Sequence, residues 1–176
     1  MRKVVLYIAM SLDGYIADGQ GKVDWLRGQT GGSENPDAYS AFVESVDTVV
    51  MGWNTYHQIA TELSPEEWVY SALTSYVVTH RTLPSTDGVR FVGEDPCALV
   101  RRLRREPGRG IWICGGGTII QPLIRAGLID EYDISVIPTI LGSGIRLFEA
   151  IPKEIKLNLT RTQVDDGIVE LVYGPR

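Results

Sequence analysis

The apolar positions fall into short runs separated by glycine, proline and polar clusters, and the period of each run predicts an element. Residues 4–10 are almost continuously apolar, as expected of a strand covered on both faces near the centre of a mostly parallel sheet. Shorter runs rich in β-branched residues predict strands at 48–51, 75–79, 111–114 and 132–137, with a brief one at 91–92. Helical spacing appears at Tyr39, Phe42, Val43 and Val46 after Asn35-Pro36-Asp37, and at Leu99, Val100 and Leu103 after Asp95-Pro96, running to about Arg105. It appears again at Ile119, Ile120, Leu123 and Ile124, ending near Ala126-Gly127. Trp53-Asn54-Thr55-Tyr56 opens a shorter helix, and Ser64-Pro65-Glu66-Glu67 predicts a turn or short helix. Two alternating runs, 155–164 and 168–173, flank Asp165-Asp166-Gly167 and predict a hairpin. Strands alternating with helices and ending in a hairpin imply an α/β sheet, parallel at its centre and antiparallel at one edge. No repeat or linker divides the chain, so residues 1–176 are one domain.

Two of these strands pass into helices through glycine. Ile111-Trp112-Ile113-Cys114 meets Gly115-Gly116-Gly117 and resumes as a helix at Thr118-Ile119, and Val49-Val50-Met51 hands over at Gly52. A helix N-terminus presents unpaired N–H groups, and glycine lets an anion approach them, so a pyrophosphate could dock there. A glycine run after a strand also makes a plain tight turn, and this one matches neither standard phosphate-loop pattern. In open α/β sheets ligands lie beyond the carboxyl ends of the strands. That rule selects residues 11–16, 52–55, 79–81 and 115–118 together with Ser135, and the His80-Arg81 pair suits a ligand with several phosphates.

Composition narrows the partners. A net charge of −5 argues against a general nucleic-acid surface, and the cluster Arg101, Arg102, Arg104 and Arg105 suits one solvated helix face. Cys97 and Cys114 are too far apart in sequence, and too few, to suggest a metal site or a disulfide framework, which fits a cytoplasmic setting. The first apolar run meets Ser11 and Asp13 too soon to span a membrane, and no signal-peptide pattern follows. The irregular stretch 19–36, holding Trp25 and the glycines of 28–32, is a candidate lid.

The segments Ala9-Met10-Ser11-Leu12-Asp13-Gly14-Tyr15-Ile16-Ala17, Met51-Gly52-Trp53-Asn54-Thr55, Gly115-Gly116-Gly117, Gly127-Leu128-Ile129-Asp130-Glu131 and Leu141-Gly142-Ser143-Gly144 together resemble the dihydrofolate reductase superfamily. The resemblance is closest to the reductase domain of the bifunctional riboflavin-biosynthesis deaminase-reductase, and it spans essentially the whole chain. It implies a three-layer α/β/α fold and an NADPH-dependent reductase, of the 5-amino-6-(5-phosphoribosylamino)uracil reductase type or, alternatively, acting on a dihydropterin. By matching position, Ala9 and Ile16 flank the nicotinamide. Gly52, Trp53, Asn54 and Thr55 lie near the phosphates, and Gly115, Gly116, Gly117, Thr118 and Ile119 complete the cradle. Thr79, His80 and Arg81 match the adenosine side, where Arg81 is the candidate partner of a 2′-phosphate or, alternatively, a solvated loop cation. Asp13, Trp25 and Cys114 are the expected substrate-side residues. The zinc-binding signature of the deaminase partner domain is missing from the sequence, so the resemblance implies reduction only, with no metal. Family members of this type commonly pair, which implies a homodimer.

Two departures matter. Dihydrofolate reductases usually carry a basic residue directly after the second-strand glycine, where Trp53 stands. They also place an acidic residue on the helix after the flexible loop; Asp37 falls near that position, and Ser135 takes the accompanying hydroxyl position. Asp37 has an ordinary alternative role, complementing the dipole of its helix. These departures motivate a second hypothesis, a noncatalytic nucleotide-binding or sensor protein on the same fold.

Overall fold

A computed structural model describes residues 1–32 and 36–176. Its centre is an eight-stranded sheet. The six parallel strands are β1 (Val4–Ser11), β3 (Val46–Gly52), β4 (Thr74–Val78), β5 (Val89–Val92), β6 (Gly110–Gly115) and β7 (Glu131–Ile137). The antiparallel hairpin β9 (Leu157–Asp165) and β10 (Ile168–Pro175) closes one edge, in the order β5-β4-β3-β6-β1-β7-β10-β9. Its turn uses Asp166 and Gly167 at positive φ (48° and 77°), the combination that a two-residue hairpin connection requires.

Alternation along the strands sorts the core into two layers. Val4 and Leu6 of β1, Val50 of β3, and Ile111 and Ile113 of β6 pack against α3 (Pro96–Leu103) and α4 (Gly117–Arg125). Val5, Tyr7, Val49, Met51 and Trp112 face the opposite way, toward α1 (Pro36–Ser45) and α2 (Trp53–Gln58). The result is the expected α/β/α sandwich. In α4 the residues at helical spacing, Ile119, Ile120, Leu123 and Ile124, are all buried. Burying each such side chain contributes about 1.5–3 kcal/mol, so tertiary packing, more than propensity, holds this short helix. Asp95 caps α3 by accepting the Ala98 N–H at 3.0 Å, with Pro96 in the first turn.

Several boundaries differ from expectation. Val46, placed by its spacing on the first helix, begins β3, because the β-branched run that follows recruits it into pairing with Gly110. Helix α3 stops at Leu103 rather than Arg105. Asn35 of the expected helix start lies outside the described residues. After α2 the chain makes one π-helical turn, Ile59–Leu63, and residues 64–67 form bends. A second, two-stranded sheet joins β2 (Tyr15–Ala17) to β8 (Ile145–Arg146), in stretches expected to be loop.

Candidate functional site

Strands β3 and β6 are neighbours, and Met51 pairs with Gly115, so the two glycine handovers lie side by side at the carboxyl edge of the sheet. Helices α2 and α4 begin at once from N-caps Gly52 and Gly116, neither of which supplies a capping side chain. In α4 the Ile119 and Ile120 N–H groups return to the Gly116 carbonyl at 3.0 and 3.1 Å, which leaves those of Gly117 and Thr118 directed out of the helix start. Gly115 adopts φ 133°, where a side chain is strained, and its peptide bond to Gly116 is cis. The two helix starts touch: a Cβ on Gly52 would meet Ile119 Cγ1 at 3.3 Å, and one on Gly116 would meet Thr55 Oγ1 at 3.5 Å. Gly52, Trp53, Asn54 and Thr55 at the start of α2 thus adjoin Gly115, Gly116, Gly117, Thr118 and Ile119 at the start of α4, where the cradle is expected.

Beyond β4, Thr79 is buried, donating its N–H to the Val92 carbonyl at 2.9 Å and accepting the Arg81 N–H on Oγ1 at 3.1 Å. His80 and Arg81 are exposed. The Arg81 guanidinium lies over the Trp53 indole, 4.7 Å from the ring centroid. Trp53 therefore brings a cation beside the cradle instead of removing one, an arrangement worth about 0.5–1 kcal/mol at an exposed position. Sequence reasoning missed this pairing because the two residues come from different strand ends.

On the other side, Ala9 of β1 pairs with Ser135 of β7, which pairs with Glu170 of β10. Ser135 and Glu170 are buried. Arg161 of β9 bridges Glu170 and Asp133, the latter at 3.4 Å, forming an ionic group that the sequence signalled only as a lone acid, Glu170, within an apolar strand. Helix α1 passes straight into the amino end of β3, so it runs down the sheet and its first turn lies toward the carboxyl ends. Phe42 stacks on Tyr7 at 4.1 Å, with Tyr39 one turn earlier. Asp37 is exposed in that first turn.

The Asp13 carboxylate accepts the Ser11 hydroxyl at 2.6 Å and the backbone N–H groups of Gly142 and Leu141 at 2.7 and 3.1 Å. The Ser11 hydrogen bond, supported by those of Gly142 and Leu141, lowers its pKa to about 2. Asp13 therefore ties the end of β1 to the loop before β8. Ile16, in β2 on that tie, packs against the α3/α4 core layer. Trp25 is half-buried, its indole N–H donated to the Lys22 carbonyl at 3.2 Å. The expected lid is moored at the hairpin tip: the Gln29 N–H meets the Asp166 carbonyl at 2.8 Å, and the Thr30 hydroxyl meets the Asp166 carboxylate at 3.0 Å.

Cys114 lies beside the cradle, its sulfur 3.9 Å from the Tyr70 hydroxyl. Burial pushes the thiol up to about 11, so it stays protonated at neutral pH and is no nucleophile. Burial raises the Tyr70 hydroxyl as well. Tyr70 stands edge-on to Trp112 at 4.9 Å, part of an aromatic layer continuing through Trp68 and Tyr56 to Trp53. Its members come from β6, α2 and the irregular chain at Trp68 and Tyr70, so no single periodic run signalled this wall.

Comparison with known proteins agrees with this architecture. The uncharacterized protein YwjB of Bacillus subtilis (strain 168) is 42% identical over 173 residues, covering 98% of this chain and 97% of YwjB. A Shewanella sp. PV-4 protein assigned to riboflavin biosynthesis has a crystal structure that superposes with a TM-score of 0.83 at 30% identity, covering 100% of this chain and 99% of that one. Dihydrofolate reductase from Enterococcus faecalis, solved in complex with NADP(H), shares the fold, with a TM-score of 0.66 at 19% identity over 98% of this chain and 96% of its own. The model of the RibD C-terminal domain matches residues 2–169, and the chain belongs to that family.

Proposed function

We propose that this protein is an NADPH-dependent reductase of a small heterocyclic metabolite, with the 5-amino-6-(5-phosphoribosylamino)uracil reductase reaction as its chemical reference. The observation that carries the reading is the pair of adjacent helix starts capped by glycine, where added Cβ atoms would project into the cradle or against its walls. Such an edge fits a pyrophosphate, since two sets of first-turn N–H groups and helix dipoles converge on an anion. Gly52, Trp53, Asn54 and Thr55 hold it from one side, and Gly115, Gly116, Gly117, Thr118 and Ile119 from the other. Thr79, His80 and Arg81 take the adenosine end, with Arg81, stacked on Trp53, pairing with the 2′-phosphate. Ala9 and Ile16 flank the nicotinamide.

When bound, the cofactor supplies a hydride. The chain's own residues orient the reactants and handle the proton. Asp37 and Ser135 hold the proton-donating water or substrate group from the α1 side, while Asp13 fixes the loop that closes the edge. Trp25 and Cys114 border the substrate, the latter as a neutral wall. The protein acts as a cytoplasmic homodimer. The exposure of Asp37 favours one second reading, a nucleotide-binding sensor without turnover. Titration with NADPH and NADH, followed by the loss of nicotinamide absorbance with ribosylaminopyrimidine and dihydropterin substrates, separates the two. Tight NADPH binding with turnover is the expected result. Tight binding without turnover of any substrate would leave the sensor, and absence of binding would end both readings.

A further inference from the structure

A charged group lies buried on the α1 face of the sheet, close to its carboxyl edge. Tyr7 stacks on Phe42 of α1, so Ala9, two residues further along β1, points to the same face. Across the neighbouring strands Ala9 pairs with Ser135, Ser135 with Glu170, and Glu170 with Gln163 of β9, which makes one lateral row on that face. The next row toward the amino ends runs Tyr7, Asp133, Val172 and Arg161. Arg161 bridges the two acids, but the exposures are unequal: the side chains of Asp133 and Glu170 are 5% and 11% exposed, that of Arg161 50%. Two carboxylates against one guanidinium leave a negative charge in excess, and solvent screens the guanidinium more than the acids. The charged groups around this part of the edge do not cancel it. Asp37 on α1 and Asp13 after β1 are themselves acidic, and Lys22, Asp24 and Arg27 of the loop are exposed. Arg2, the other buried charge among the described residues, pairs with Asp47 and lies before the amino end of β1.

On the reductase reading this excess has a target, because that reading puts the nicotinamide beside Ala9. Hydride transfer carries an electron pair from the ring to the substrate carbon and leaves one positive charge on the ring. Two strand spacings separate Ala9 from Glu170, about 10 Å. Opposite unit charges about 10–15 Å apart, at an effective dielectric of about 20, change an equilibrium roughly five- to twentyfold. Resting on that reading, we infer that the buried Glu170–Arg161–Asp133 group acts through space on the cofactor, favouring the oxidised, positively charged nicotinamide over the neutral reduced one and so making the bound cofactor a stronger hydride donor. None of the three residues has to touch either reactant. Charge fixed in place by the fold needs no rearrangement as the ring becomes positive.

The test is calorimetric titration with NADPH and with NADP+ of the unaltered protein and three variants. Glu170→Gln removes the excess charge. Gln163→Lys adds a cation at the strand neighbour of Glu170, on a residue that takes no part in the ion pairs. Arg161→Lys keeps the charge and loses the planar fork. The expected result is a roughly fivefold or greater loss of NADP+ affinity relative to NADPH in Glu170→Gln, a smaller loss in the same direction in Gln163→Lys, and an unchanged ratio in Arg161→Lys. A purely structural role would weaken both cofactors together in Glu170→Gln and Arg161→Lys and leave the Gln163→Lys ratio at that of the unaltered protein, and this result would overturn the inference. If Glu170→Gln does not fold, the Gln163→Lys ratio decides alone. Failure of the unaltered protein to bind either cofactor ends the reductase reading itself, whereas tight binding with one ratio throughout sinks only this inference.

Discussion

Replacing Gly116 by alanine separates cofactor binding from folding more cleanly than any other change in the cradle. Gly116 has φ −85° and ψ −160°, extended backbone that alanine adopts, and its added methyl would sit 3.5 Å from Thr55 Oγ1, an ordinary contact. Alanine is a poorer N-cap than glycine, but it also reduces the freedom of the unfolded chain by about 0.4–1 kcal/mol, so the net stability change should be within about 1 kcal/mol. Binding should respond differently. On the pyrophosphate assignment, a methyl at this N-cap crowds the approach to the neighbouring Gly117 and Thr118 N–H groups, and losing one hydrogen bond to a charged phosphate costs about 1.5–3 kcal/mol. At about 1.4 kcal/mol per factor of ten, NADPH affinity should fall roughly 10- to 100-fold. Gly115→Ala is the contrast: at φ 133° a side chain adds about 1–3 kcal/mol of backbone strain, which should lower the melting temperature by about 2–4 °C per kcal/mol. The assay is calorimetric titration with NADPH beside thermal unfolding of both variants. Wild-type affinity in a fully folded Gly116→Ala protein would refute the assignment of this edge to the pyrophosphate.

Three other outcomes follow from the same geometry. Arg81→Ala should weaken NADPH by roughly 10- to 100-fold, about 1.5–3 kcal/mol for a charge-assisted contact, and leave NADH unchanged; Trp53→Ala should give a smaller shift in the same direction, read by titration with both cofactors. The Asp13 pKa is depressed to about 2, below its ordinary value of 3.8, so its contribution to stability is present above the unfolded value and is lost as pH falls through about 2. Asp13→Asn should therefore flatten the acid limb of a melting-temperature profile between about pH 4 and pH 2, and an unchanged limb would count against the tie to Leu141 and Gly142. Cys114, pushed up to about 11, should resist alkylation by iodoacetamide at pH 8 in the folded protein and react once the protein is unfolded, as followed by mass spectrometry.

The elements legible in the sequence were those whose own residues carry enough pattern to specify them. The continuous apolar run of β1, the Ile119, Ile120, Leu123 and Ile124 spacing of α4 and the Asp165-Asp166-Gly167 turn each hold a local signal that tertiary packing then reinforced. The β2/β8 pair was hidden because strands of three and two residues have no period to detect; they exist through pairing with each other and through Asp13 holding the Leu141 loop against the end of β1. Val46 was misplaced because its spacing suits both a helix and a strand, and only pairing with β6 decides between them. In the candidate site, glycines at strand ends are visible in sequence, and of them Gly115 is required by its backbone, at φ 133°. The Trp53–Arg81 stack, the Tyr70–Cys114 contact and the Arg161 bridge to Asp133 and Glu170 join residues far apart in the chain, and no local pattern encodes them.

The central claim is that the paired glycine handovers of β3 and β6 cradle the pyrophosphate of NADPH. A crystal structure of the protein grown with NADPH tests it most directly. The account predicts phosphate oxygens within hydrogen-bonding distance of N–H groups at the starts of both α2 and α4, with the 2′-phosphate beside Arg81. A cofactor bound elsewhere, or density confined to one helix start with Arg81 turned away, would contradict it.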